Sequence, residues 1–352
     1  MVERIFLKIF LKYHEKKTII TAFTRYLIVA NSIHISRRAL RKNVFLTLLM
    51  IVVLSVSEVR AQYDVVFSHY FDMETSFNPG AAGKDPKLNI NAAYAMDMAG
   101  FEHNPQTAYI SADMPFRFLN ATHGCGLEFT NDKLGLFNHT RLSILYANQQ
   151  RLFGGTLGIG LQLSLLAEKF DGSELDLDVG SDPAFTTSQV NGQAIDFSAG
   201  LYYSRKAFYV GLSAKHLTSP KVELGELNEL QVSASYYATA GYTFKLRNPM
   251  LQVKTSALAY TDGVMTRADI TGRLIYTSEK RKMYGGISYS PTNSVTALLG
   301  MDIRGIHVGY AYECYTNGIS PGNGSHELFV GYKMDLNIVK KGKNLHKSVR
   351  FL

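Results

Sequence analysis

Ten histidines, two cysteines and 29 Asp or Glu are the residues of this chain with the most chemistry to offer. The histidines show no H-E-x-x-H pair, nor any other spacing that sets two imidazoles on one metal. Cys125 and Cys314 stand apart, without a C-x-x-C partner for zinc or redox work. The glycines between Gly155 and Gly160 approach a phosphate-loop spacing. No Lys follows them, however, and the stretch alternates like a strand instead of opening a helix. Within Asp171 to Asp182, the carboxylates of Asp176, Asp178 and Asp182 are oxygen ligands of the kind calcium takes. An EF-hand loop needs Glu at its twelfth position, and this run has none there. Asp196, His307 and Glu313 sit at alternate positions among apolar residues. A hydrolase needs a nucleophile beside its base, and no such set is identifiable. Lumen polarity accounts for all three. The expectation is a chain with no catalytic residue, no cofactor and no metal.

What positions these residues is strand alternation. Between Gly155 and Leu166, Leu157, Ile159, Leu161, Leu163 and Leu165 fall on one side. Gly158, Gly160, Gln162 and Ser164 fall on the other. At roughly 3.3 Å per residue the run is long enough to cross a bilayer when tilted. The device recurs. Ile195, Phe197, Ala199 and Leu201 oppose Asp196, Ser198, Gly200 and Tyr202. Phe208, Val210, Leu212 and Ala214 oppose Tyr209, Gly211, Ser213 and Lys215. Ile306, Val308, Tyr310 and Tyr312 oppose His307, Gly309, Ala311 and Glu313. One face is wet and the other suits lipid.

The pattern predicts fourteen strands, over residues 88–96, 107–114, 124–130, 139–149, 155–166, 194–203, 208–217, 230–244, 251–260, 267–275, 283–289, 294–301, 306–315 and 325–334. The expected fold is all-β, an antiparallel transmembrane β-barrel over residues 88–334. An even strand count returns both barrel ends to one side. Short turns at Arg151 to Gly154, Ser204 to Ala207 and Asp302 to Gly305 mark the periplasmic end. Long loops at Ala167 to Gln193, Thr218 to Glu229 and Thr316 to Gly324 mark the outer end, with the short Ser290 to Asn293 as an exception. Cys125 and Cys314 fall on strands 3 and 13, which are not neighbours, so two free thiols are expected.

Composition agrees. The chain of 352 residues is 19% charged, with 21 Tyr, 20 Phe and no Trp. Tyr and Phe can supply the amphipathic girdle that Trp often fills. The net charge of +8 arises wholly from residues 1–61, which hold 11 Lys or Arg and 3 Asp or Glu. The rest is formally neutral, which removes a nucleic-acid surface. Arg37, Arg38, Arg41 and Lys42 precede the apolar run Val44 to Val56, and Val59-Arg60-Ala61 follows. This reads as a secretory signal with cleavage after Ala61. Residues 62–87 form a periplasmic lead-in, carrying a turn at Asn78-Pro79-Gly80 and apolar residues without clean alternation. Such a segment should pack on the lumen or on the periplasmic rim; the alternative is a plain structural lead-in. Residues 335–352 form a basic periplasmic tail.

Charge sorts by barrel end. Turns at the periplasmic end hold Arg151, Arg205, Lys206, Lys245, Arg247, Lys280, Arg281, Lys282 and Arg304. Outer loops hold Glu168, Asp171, Glu174, Asp176, Asp178, Asp182, Glu223, Glu226 and Glu229. Solubility of the turns explains this simply. A rim that docks an acidic periplasmic partner is the sharper reading.

Short motifs extend the picture. Gln62, Asp64 and Phe67-Ser68-His69-Tyr70 lead to Asn78-Pro79-Gly80-Ala81-Ala82-Gly83. Gly124 to Leu136 carries G-x-G followed by Asn131-Asp132 and Gly135. Ser111, Asp113 and Pro115 close a strand. Tyr209, Gly211, Ser213, His216 and Leu217 share another. Gly309 to Glu313 and Ser325-His326-Glu327 lie near the end. In order, over about residues 62–334, these blocks resemble the PorP/SprF family of type IX secretion system membrane proteins of Bacteroidetes. Departures are Val65 for a usual Pro, Gly80 and Ala82 within the second block, and Met98 where Trp is common. The resemblance implies a non-enzymatic outer-membrane component of the secretion machine. Its partners would be outer-membrane lipid, periplasmic and outer-membrane machine proteins, and a secreted cargo or adhesin, including those of gliding motility. Without the resemblance, a passive porin for small solutes and a barrel enzyme stay open. The first predicts ion conductance, and the second predicts hydrolysis lost on changes at Glu313.

Overall fold

The structure is a computed structural model that describes residues 64–172, 189–225, 228–263, 265–279, 281–291, 293–316 and 323–336. The expected leader, its cleavage point at Ala61 and the tail beyond Leu336 lie outside the described residues. Among the described residues sixteen strands form: β1 (Lys87–Met96), β2 (Gln106–Phe118), β3 (Ala121–Leu134), β4 (Phe137–Leu152), β5 (Gly155–Asp171), β6 (Gln189–Arg205), β7 (Phe208–Lys215), β8 (Lys221–Leu224), β9 (Asn228–Gln231), β10 (Ser235–Lys245), β11 (Leu251–Thr261), β12 (Thr266–Thr277), β13 (Lys282–Ser290), β14 (Ser294–Ile303), β15 (Ile306–Tyr315) and β16 (Ser325–Asp335). Fourteen of them close an antiparallel barrel. Each pairs with its neighbour in order, β7 pairs with β10, and β1 seals against β16. β8 and β9 form a separate hairpin.

The wall follows the alternation. Leu161, Ile195, Leu212, Ile287 and Leu299 are each more than half exposed on the outer face. Their neighbours Gln162, Asp196, Ser198 and Ser213 are buried within. An apolar belt around a polar interior is the pattern lipid demands of a barrel. Turns of two residues at Leu119-Asn120, Phe153-Gly154, Lys206-Ala207 and Arg304-Gly305 sit at the end where β1 begins and β16 finishes. Short turns identify that end as periplasmic. Cys125 on β3 and Cys314 on β15 are both free.

Three expectations change. The strand expected at 230–244 begins only at Ser235, because residues 228–231 pair with 221–224 and the Val232 amide donates to the Pro220 carbonyl. The strand expected to reach Leu217 stops at Lys215. His216 takes φ +55° and turns inward, where it is fully buried. Glu168, expected in an outer loop, lies on β5 and is buried in the wall against His139.

The lead-in occupies the lumen, one of its two expected places. From Asp64 to Gly83 it is almost wholly buried. Two single-turn 3-10 segments, Glu74–Ser76 and Pro79–Ala81, lie along it. Tyr70, Phe71 and Phe77 join Tyr237, Leu258, Tyr260, Ile275, Tyr284 and Leu298 of the wall in one cluster. Phe67 and Met73 join Tyr109 and Phe329 in another. Each such side chain contributes about 1.5–3 kcal/mol through burial.

Candidate functional site

The site is the interlock between this plug and the wall, together with the basic rim below it. The plug enters near the outer end at Asp64. Its carboxylate accepts from Lys215 Nζ at 3.0 Å, Arg141 Nη1 at 2.9 Å and the Tyr237 hydroxyl at 2.8 Å. His216 Nε2 lies 3.2 Å from its second oxygen, and His216 Nδ1 lies 2.9 Å from Asp196. One plug carboxylate thus ties together β4, β7 and β10. Such a buried charge is tolerable only because it is paired and hydrogen-bonded.

The family-motif residues form the next ties. Glu327 of β16 accepts from the backbone amides of Ser68 at 2.5 Å and His69 at 3.0 Å. It also lies 2.6 Å from His69 Nδ1. Its neighbour Ser325 accepts from the Met98 amide at 3.0 Å. His326 faces out, 2.7 Å from the Tyr310 hydroxyl.

Asn78 is fully buried. Its side chain caps the Gly80 amide at 2.9 Å and donates to the Leu201 carbonyl of β6 at 3.0 Å. Pro79 and Gly80 then lie directly on the backbones of β5 and β6. A Cβ at Gly160 would collide with the Pro79 carbonyl, and one at Gly158 with the Gly80 carbonyl. At Gly200 a Cβ would strike the Asn78 side chain. Gly158 and Gly160 therefore serve close approach of the plug, which phosphate-loop reasoning did not reveal, whereas Gly155 lies against Tyr203 and Ser204 of β6.

Gly83 has φ +66°, and its amide donates to Asp113 at 2.9 Å. A Cβ at Gly124 would meet the Ala82 carbonyl. Of the remaining motif pair, Asp132 accepts from Thr107 at 2.7 Å inside the barrel. Asn131 donates to Asn138 at 2.7 Å and Thr140 at 2.9 Å. Of the wall's motif residues, Asp113, Gly124, His216 and Glu327 thus converge on the plug.

Asp196 and Glu313 do face the lumen, and His307 packs there beside Asp302 and Asp72. They sit in separate networks, Asp196 with His216 and Glu313 with Arg267 and Ser294. Among the described residues no group of His, Cys, Asp and Glu has the arrangement of a metal site.

The rim residues Arg151, Arg205, Lys206, Lys245, Arg247, Arg281, Lys282 and Arg304 all lie at the periplasmic end, and all but Lys282 are exposed. Lys282 pairs with Asp302 at 3.4 Å. They are spread around the rim from β4 to β15, and Lys280 is outside the described residues. Sequence reasoning missed a second basic group just inside this end, where Lys84, Lys254, Arg273 and Lys333 point inward. Nothing in the alternation marks it, because lumen residues of either charge fit the same pattern.

Asp97 follows β1 at the outer end. Burial first, then the charge of Glu313, pushes its carboxyl up to about 7. In the unfolded chain it ionises near 3.8. Between those values the folded chain holds the extra proton, so this group makes stability fall as pH rises through the window. Asp97→Asn is expected to raise the urea midpoint at pH 8 and to leave it unchanged below pH 4. An equal gain at both pH values would contradict the assignment.

A sequence profile of the family described as type IX secretion system membrane protein PorP/SprF matches residues 59–332. No curated protein matches the chain. Among solved structures, it is similar to BamA from Haemophilus ducreyi lacking POTRA domains 1-3, with 8% identity, 70% of each chain covered and a TM-score of 0.41. It is similar to a Pseudomonas aeruginosa FadL homologue, with 11% identity, 74% of this chain and 96% of that chain covered, and a TM-score of 0.42. It is similar also to the Pseudomonas putida toluene transporter TodX, with 10% identity, 80% and 96% covered, and a TM-score of 0.43. With a closed fourteen-stranded wall, a motif-built interlock and a profile match over most of its length, the chain belongs to the PorP/SprF family of type IX secretion system membrane proteins.

Proposed function

We propose that this protein is a non-enzymatic docking component of type IX secretion in the outer membrane. It binds machine or cargo partners for export or surface anchoring, adhesins of gliding motility included. One observation carries this reading over that of a passive porin. The lumen is occupied by the chain's own residues 64–83, held by buried aromatic and ionic contacts. A barrel so occupied has its outer surface and its ends to offer, and the basic periplasmic rim suits an acidic partner.

The test is comparative mass spectrometry of culture medium and cell surface, with and without this chain. Loss of many exported proteins makes it a core part of the machine, and loss of one large surface protein makes it a dedicated cargo partner. An unchanged profile sinks the secretion role. For the rim, Arg281→Glu with Lys282→Glu is expected to weaken co-purification of a periplasmic partner. Undiminished recovery would leave those charges as solvated turns.

A further inference from the structure

Lys254 of β11 and Arg273 of β12 stand directly opposite each other in the antiparallel ladder. Both point into the lumen near its periplasmic end. Like charges in facing positions repel and call for a counter-charge. Arg273 lays its guanidinium on the Phe71 ring, 3.2 Å from the centroid, and reaches Asp72 at 3.8 Å. Its Nε is buried without a hydrogen-bond partner. Among the described residues, Lys254 has no carboxylate within ion-pair distance.

Beside this pair a cavity of about 440 Å³ lies between plug and wall. Its lining holds six cations, Lys84, Arg205, Lys206, Lys254, Arg273 and Lys333, against the three carboxylates of Asp72, Glu74 and Asp85. Those carboxylates are already engaged. Glu74 pairs with Lys84, Asp85 with Lys333 at 3.0 Å, and Asp72 with Arg273 and His307. The surplus is Lys254 inside and Arg205 and Lys206 on the exposed turn below. Tyr202, Tyr209 and Tyr242 supply much of the remaining wall.

We propose that this cavity receives the carboxylates of an acidic peptide segment offered from the periplasm, an inference that rests on the docking role above. A single small anion fills little of such a volume, which lies in the range of sites for larger ligands. One inner cation and two at the rim suit a chain bearing more than one carboxylate. Charge-assisted hydrogen bonds to Lys and Arg would fix it, and tyrosine faces would line its backbone.

The test uses the full chain in detergent micelles and a fluorescein-labelled peptide of six alternating Glu and Asp, followed by fluorescence anisotropy. Wild type is expected to bind saturably. Lys254→Gln should weaken binding about tenfold or more, the loss expected of one charge-assisted contact. Arg117→Gln, exposed at the periplasmic end of β2 and away from the cavity lining, should change it by less than about twofold. Arg205→Gln with Lys206→Gln sits on an exposed turn, threatens folding least, and carries the same expectation as Lys254→Gln. Folding of each variant is read from heat-modifiable gel mobility. Equal losses in Arg117→Gln and Lys254→Gln would mean bulk surface charge and overturn the site. Inorganic phosphate displacing the peptide at equal concentration would mean a small-anion site and also overturn it. Either failure leaves the secretion reading standing, because that reading is judged by export from cells.

Discussion

Deleting residues 64–83 is expected to convert a barrel that passes no current in planar bilayers into one that conducts in discrete steps. A closed wall of fourteen strands encloses more space than its own inward side chains fill, and here the plug supplies the rest. Tyr70, Met73, Asn78 and Ala82 are all 2% exposed or less, so the plug packs closely on the wall along much of its length. A gentler variant makes the same point. Gly160→Val places a branched side chain where the Pro79 carbonyl lies against the wall. Overpacking of this kind costs about 1–3 kcal/mol, and the plug, more weakly held than the sheet, is what gives way. Intermittent openings are therefore expected from Gly160→Val, and sustained ones from the deletion. A deletion variant that folds, by heat-modifiable mobility, yet stays silent would show that the wall closes by itself.

Asp64→Asn should produce the largest loss of stability from a single atom change. It leaves Lys215 and Arg141 buried around an amide that cannot neutralise them. Removing one partner of a buried ion pair costs about 3–5 kcal/mol. The expected readout is a large fall in the urea midpoint, together with protease cleavage inside residues 64–83. Coupling to Lys215 can be isolated. Asp64→Leu with Lys215→Leu removes both charges and should lose less than the sum of the single changes. Simple additivity would show that the two charges do not act as a pair. Glu327→Gln should weaken the plug less, because the amides of Ser68 and His69 still find an oxygen acceptor.

The wall was legible in the sequence because lipid on one side and polar lumen on the other impose a period of two that few other folds sustain. Every one of the fourteen expected strands exists, and errors fall where the chain leaves the ladder or the ladder runs past the membrane belt. His216 breaks its strand through a positive φ and two buried carboxylates. Neither is visible without the partners Asp64 and Asp196. Glu168 looked like a loop charge because β5 runs past the membrane belt, where alternation no longer separates apolar from polar. The plug was half legible. Its aromatic content required a surface to pack on, but a segment without period gives no register. The glycines at 158, 160 and 200 carry the missing information. Small residues on a lumen face also fit a water-filled pore, so their meaning appears only when Asn78-Pro79-Gly80 is seen against them.

The direction of the plug sets the order in which the protein is put together. Asp64 lies among residues at the outer ends of β4, β7 and β10, whereas Gly83 to Lys87 lie at the periplasmic end. The chain therefore crosses the lumen outward-to-inward before β1 carries it back through the wall. Its grip reaches from β2 to β16, the last strand in the chain, across 259 positions to Ser68. Threading such a segment through a finished cylinder would mean dragging its aromatic and charged side chains past walls already packed. Laying strands around it avoids that passage, with β1 and β16 meeting last. On that geometry the N-terminal segment is expected to be in place before β1 and β16 close the seam.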